Sequence, residues 1–185
     1  MLAEIIKNRR SIYPDAYTNQ PITKSTVQTI LDAANWAPTH KKTEPWRFKV
    51  FHSESSREQL SAFLGEAYVK MVENPSDFKR KKIEQKAVQS GCVIAICMQR
   101  DPDARIPEWE EIASVAMAVQ NMWLTAHHLN IGAYWSSPGL IKLFGEHVAL
   151  AEGERCIGFF YMGYFNDNSL IGIRNTPIED KIQWI

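Results

Sequence analysis

The 185-residue sequence contains only three cysteines. Cys92, Cys97 and Cys156 form no CxxC pair and have no His or Cys at metal-ligand spacing. This odd set argues against a disulfide framework and against a zinc module. Each cysteine sits inside an apolar run, so the expectation for each is a small core hydrophobe without a catalytic part. Neither sign of charge is in excess: Lys plus Arg and Asp plus Glu number 21 each, which leaves no global field to attract nucleic acid or an acidic membrane surface. Long hydrophobic runs are also missing, since Val93–Met98 and Cys156–Phe165 fall well short of the ~20 residues that span a bilayer. Glu4 and Lys7 interrupt the beginning of the chain before a secretory h-region can form. The expectation is a cytoplasmic protein that binds neither nucleic acid nor membrane. GxGxxG, P-loop, HExxH and GxSxG motifs are absent, as are internal repeats and Gly/Ser linkers.

What is present is the composition of one folded domain over residues 1–185, 45% apolar and 23% charged. Leu2, Ile5 and Ile6 predict a short first helix that delivers Arg9 and Arg10 at its end. Thr23 is an N-cap for a helix whose apolar face is Val27, Ile30, Leu31 and Ala34, ending at Trp36–Ala37 before Pro38. Trp46, Phe48 and Val50 alternate with Arg47 and Lys49 as in a strand with one buried face. Ser56 and Gln59 have capping-box spacing ahead of a third helix that closes at Asn74–Pro75. The charged stretch around Lys79–Lys82 reads as a solvated helix.

Val93–Met98 predicts a strand covered on both faces and central in the sheet. Pro107 opens a helical pattern that reaches Ile131, with Gly132 as its stop and little polar face, as expected for a buried helix at a subunit contact. Ala133–Trp135 is too short to stand alone, Ser136–Gly139 reads as a loop, and a brief helix follows through Leu143 and Phe144. Arg155–Phe165 is the last strong strand. The tail after Asn166, with Ile171, Ile173, Ile178, Ile182, Trp184 and Ile185, is too apolar for a free end. Regular strand–helix alternation is lacking, so the expected fold class is α+β, a small mixed and mainly antiparallel sheet surrounded by helices with one long central helix.

Two clusters invite chemistry and are read as structural. His127 and His128 are adjacent on a helix and point about 100° apart, which suits no shared metal ion. Glu108, Glu110 and Glu111 occupy the first turn of the long helix, where carboxylates favour the dipole. Of the six tryptophans, only Trp36 and Trp135 fall near candidate site segments.

Three separated segments carry a resemblance. They are Asn8-Arg9-Arg10-Ser11 after the first helix, Ala37-Pro38-Thr39-His40-Lys41-Lys42-Thr43-Glu44-Pro45-Trp46-Arg47-Phe48 from helix end to strand start, and Trp135-Ser136-Ser137-Pro138-Gly139 after the long helix. In this order and at these separations the chain resembles the nitroreductase family. The resemblance implies an intertwined homodimer with two sites lined by both chains and FMN as bound cofactor. It also implies NAD(P)H as transient reductant and ping-pong transfer of hydride to nitroaromatics, quinones or similar small acceptors.

It further implies that Arg9, Arg10 and Ser11 meet the phosphate, ribityl and pyrimidine parts of FMN, and that Trp135, Ser136 and Ser137 face N5 and O4. Arg174, before Thr176-Pro177, would reach the phosphate. His40 would lie near the cofactor of the opposing subunit, with Trp36 lining the same pocket. The residues suit these roles. Guanidiniums and a hydroxyl are charge-assisted donors for a dianionic phosphate, and a cation near N1 and O2 stabilises reduced flavin. A nicotinamide enzyme without a Rossmann fingerprint needs such an alternative way of holding the reacting ring. The sequence departs from the family pattern at Lys41 and Lys42, where Gly and Asn are frequent, and at Glu44, where Gln is. A flavin-binding redox sensor, a dehalogenase-like or flavin-modifying relative, and a cofactor-free interaction protein stand as alternatives.

Overall fold

The computed structural model describes residues 2–166 and 172–185; Ile171 of the apolar tail lies outside the described residues. Four strands, β1 (Trp46–Phe51), β2 (Cys92–Gln99), β3 (Ile131–Ser136) and β4 (Glu154–Tyr164), pair in the order β1-β2-β4-β3, every neighbour antiparallel. The parallel element among the described residues is an isolated bridge between Ser11 and Ala133. The sheet is thus the small, mainly antiparallel one expected of this α+β chain.

β2 is central and buried along almost its whole length, which explains its unbroken apolar composition. On one face Ile94, Ile96 and Met98 meet Val27, Ile30 and Ala34 of α2 (Lys24–Ala34) and Val115, Val119 and Met122 of α5 (Glu108–His128). On the other, Val93, Ala95, Phe159 and Tyr161 meet Leu60 and Leu64 of α3 (Glu54–Met71) and Phe144 of the 3-10 segment Gly139–Glu146. α4 (Asp77–Gln89) packs along α3 and buries Ala87 alone of its residues, the solvated helix its charges predict.

Several boundaries differ from the sequence expectation. α2 ends at Ala34, and Trp36 and Ala37 continue as a tight turn with amides donating to Ala33 and Ala34. The cap of α3 is Ser53, whose hydroxyl accepts from the Ser56 amide, so Ser56 lies inside the first turn. β1 buries Trp46 and Phe51 and packs Phe48 against the core beneath α5, while Val50 is exposed. The long helix stops at His128, three residues before its predicted end. Asn130 supplies the left-handed turn at φ 57°, a conformation Asn tolerates.

Gly132 is therefore not a helix stop. It lies within β3, where a Cβ would come within 2.8 Å of Ile12 and 2.9 Å of Phe165, and its lack of a side chain lets the N-terminal segment cross the strand. β3 does stand as a strand, and includes Ser136, because β4 pairs with it along its whole length while Ser11 touches its free edge.

Candidate functional site

α1 (Leu2–Asn8) ends with the Arg9 amide donating to the Ile5 carbonyl, and the chain then turns onto β3, where the Ile12 amide donates to Ala133. This seats Arg9, Arg10 and Ser11 against the strand that carries Trp135 and Ser136. The Arg9 guanidinium lies 4.3 Å above the Trp123 ring of α5, a cation–π contact that holds it flat. Its Nη1 is buried with no hydrogen-bond partner. Arg10 donates through Nη1 to the Lys7 and Arg9 carbonyls, while its buried Nε is unpartnered. The tail returns over this corner: a Cβ on Gly172 would lie 2.1 Å from Arg10 Cζ.

Burial, then the charge of Arg10, then that of Arg174, lower the pKa of Arg9. Burial, then the charges of Arg9, Arg10 and His128, lower the pKa of His127. Arg9, Arg10 and Arg174 thus crowd positive charge around donors that lack acceptors, with His127 beside them held toward its neutral form, an arrangement completed by an anion with several oxygens.

Three residues beyond Ala133, roughly 10 Å along β3 at ~3.3 Å per residue, the strand reaches Ser136. Ser136 is half-buried and Ser137 exposed. Trp135 packs on the α5 side of the sheet with its Nε1 buried and unpartnered. A polar, partly open edge therefore runs from the guanidiniums to the Ser136–Ser137 turn.

His40 and Trp36 lie elsewhere. His40 Nδ1 is 2.5 Å from Glu110 Oε2 in the first turn of α5, and Trp36 is 86% exposed. A shallow hollow of about 270 Å³ opens here, lined by Pro38, His40, Trp109, Ala113 and Met117 among others. Glu110 and Trp123 are thirteen residues apart on α5, roughly 20 Å at 1.5 Å per residue. Within one chain, Arg9, Arg10, Ser11 and Arg174 gather near the C-terminal end of α5, Trp135–Ser137 lie farther along β3, His40 sits at the first turn of α5, and Trp36 follows the end of α2, where the Ala33 carbonyl accepts from Asn121.

The loop between them explains the unusual lysines in part. Lys41, Lys42 and Glu44 have φ of 50°, 54° and 43°, the left-handed region that Gly and Asn enter most readily. The backbone shape is kept where the common residues are not, and Lys41 Nζ secures it by donating to the Arg105 carbonyl.

Two readings need correction. Trp123 is more than core, because it carries the Arg9 stack, and His127 one turn later faces the same charges. Their i, i+4 spacing on α5 was the available signal. The acidic turn of α5 does more than favour the dipole: Glu108 pairs with Arg155, Glu110 with His40, and wholly buried Glu111 with Arg100 and the Asp101 amide. His127 and His128 belong to no metal-binding group among the described residues.

The Nitroreductase family profile matches residues 6–164. The chain belongs to the nitroreductase family. It is 26% identical over 183 residues to the Bacillus subtilis (strain 168) protein YfhC, proposed as an NAD(P)H nitroreductase, covering 98% of this chain and 92% of that one. The solved structure of a nitroreductase-like family protein from Bacillus cereus superposes with a TM-score of 0.87 at 30% identity, over 100% of this chain and 96% of that one. A Desulfovibrio desulfuricans structure in complex with FMN shares the fold, with a TM-score of 0.75 at 23% identity over 100% and 96% of the two chains. This nitroreductase-family chain is accordingly an oxidoreductase with the nitroreductase-like fold.

Proposed function

We propose that the chain is a homodimeric, FMN-dependent NAD(P)H oxidoreductase that reduces nitroaromatics, quinones or similar small electron-poor acceptors by a ping-pong cycle. The observation that carries this reading is the pair of buried, unpartnered donors on Arg9 and Arg10 beside Arg174. FMN held here would supply two-electron redox chemistry between NAD(P)H and an acceptor. The residues present fit its anionic tail: Arg9, Arg10 and Arg174 offer fixed positive charge, and Ser11 adds a hydroxyl.

Trp123 holds the Arg9 guanidinium in plane, so fewer rotamers are lost on binding. Trp135, Ser136 and Ser137 present backbone and hydroxyl groups at the other end of the same edge, where they orient the reacting ring. His40 and Trp36 line the site of the opposite subunit. Support for pairing comes from apolar side chains left open on one chain, namely Trp109, Ile112 and Met117 of α5 and Leu2 and Ile6 of α1. The exposed tail residues Ile173, Ile178, Ile182, Trp184 and Ile185 pack on the partner in this reading.

No helix among the described residues is long and apolar enough to cross a membrane. We place the enzyme in the cytoplasm, where free thiols such as its three cysteines persist. Purified protein should be yellow, bleach anaerobically with NADH or NADPH, and recover colour with a nitro compound or quinone. Initial rates should give parallel reciprocal plots. Folded protein that is colourless and takes up no FMN at micromolar concentration would overturn the reading, and bleaching without turnover would favour the redox sensor.

A further inference from the structure

We infer that Cys97 and Cys156 form an oxidisable dithiol, a modification site in the sheet that a hydroperoxide closes to a disulfide. Along β2 the side chains alternate: Cys92, Ile94, Ile96 and Met98 enter the core beneath α5, and Val93, Ala95 and Cys97 the core beneath α3. On β4, Phe160 and Met162 share the α5 side and Phe159 and Tyr161 the α3 side. Uninterrupted alternation would turn Cys156 away from Cys97. The pairing instead shifts between Ile96 and Cys97, so that Ile96 opposes Gly158, Cys97 opposes Cys156 and Ile157 is passed over. This bulge brings Cys156 onto the α3 side, directly across from Cys97.

Opposed residues of antiparallel strands have Cα atoms about 4.5–5.5 Å apart, within the span of about 4.4–6.8 Å that a disulfide bridges. The neighbouring Cys156 thiol and burial push Cys97 up, while Cys97 lowers Cys156, whose Sγ donates to the Gly158 carbonyl at 3.5 Å. Cys156 is also the more accessible, at 7% against 0%, and is the attacking sulfur. Its thiolate displaces hydroxide from hydrogen peroxide, forming S–O as O–O breaks. Cys97 sulfur then attacks the sulfenic acid, forming S–S as S–O breaks and a second hydroxide leaves. The two thiol protons convert both hydroxides to water, so two thiols lose two electrons and one peroxide is reduced. Cys92 is excluded, since it lies on the opposite side of the sheet and burial pushes its thiol up to about 12. The covalent ring encloses α5 and β3, so oxidation ties down the segment that bears Trp123 and Trp135–Ser137.

The test is thiol mapping of the wild-type protein. Hydrogen peroxide is added to reductant-free folded protein, remaining thiols are alkylated in denaturant, and the digest is read by mass spectrometry. Cys97 and Cys156 peptides should appear joined within one chain, with Cys92 alkylated and the link reversed by dithiothreitol. Three alkylated cysteines after treatment that oxidises dithiothreitol itself, over-oxidised Cys156 without a link, or any link through Cys92 or between chains would overturn the inference. Cys92→Ser should form the same link. Cys97→Ser should leave Cys156 as a dimedone-reactive sulfenic acid, while the wild-type map decides the matter even if that variant folds poorly.

Discussion

At the scale of single residues, Arg9 combines a buried Nη1 that has no hydrogen-bond acceptor with a guanidinium held over the Trp123 ring. A charge-assisted hydrogen bond contributes about 1.5–3 kcal/mol, so Arg9→Ala should raise the Kd for FMN roughly 10- to 100-fold, as measured by fluorescence quenching of titrated FMN. Unchanged retention would contradict the assignment.

Glu111 has the opposite character. It is wholly buried and paired with Arg100 and the Asp101 amide, and its loss strands a partly covered guanidinium. Glu111→Ala should cost about 3 kcal/mol in chemical unfolding, the low end for a broken buried pair because Arg100 keeps some contact with water. His147 is stacked on Phe63 at 4.8 Å and on Phe51, and burial lowers its pKa below the ordinary 6.5. Protonation therefore favours the unfolded chain: its contribution to stability is present above pH 6.5 and is lost as pH falls through the depressed folded value. His147→Phe should flatten the fall in melting temperature on acidification. A residual slope should remain from His127, whose pKa is depressed in the same direction.

At the scale of elements, the loop 39–45 holds left-handed backbone with side chains that resist it. Left-handed geometry costs roughly 1–2 kcal/mol for an ordinary residue, and Asn relieves part of that without glycine's added chain entropy. Lys42→Asn should raise the melting temperature by roughly 2–4 °C, and an unchanged midpoint would mean that the loop stores no strain. Such conformations were not legible in the sequence, since φ is set by the neighbours that hold the loop. Periodic elements were legible. α2 and β2 each bury one repeating pattern against the sheet or the helices, and Thr23 caps where a cap was expected. The end of α5 was misread because glycine is the stronger stop signal, and only the crossing of Ile12 over Gly132 reveals that this glycine serves a different contact. β3 was underestimated because half of its support comes from β4, distant in sequence. Of the candidate site, the arginines and the Trp135–Ser137 turn were legible as segments. The Trp123 support left only its i, i+4 spacing to His127 as a signal, because the stack joins it to Arg9, which is distant in sequence.

At the scale of the whole molecule, α5 acts as a ruler. Its C-terminal half carries the Arg9 stack, its first turn carries the His40–Glu110 pair, and roughly 20 Å separate them, too far for both to line one small site in a single chain. Two chains related by a twofold axis can bring one end of each α5 to the other end of its partner, and the open apolar stripe of Trp109, Ile112 and Met117 lies where such a contact is needed. Charges placed there should act on assembly and binding together. Trp109→Glu combined with Met117→Asp touches neither the arginines nor the Trp135–Ser137 turn, and both side chains are already solvent-exposed in one chain, so the fold should survive by circular dichroism. Sedimentation should then show a monomer, and FMN affinity should fall at least 10-fold because half of each site has left. A monomer that keeps full affinity would show that each site is built from one chain. A dimer that persists would place the contact on another face.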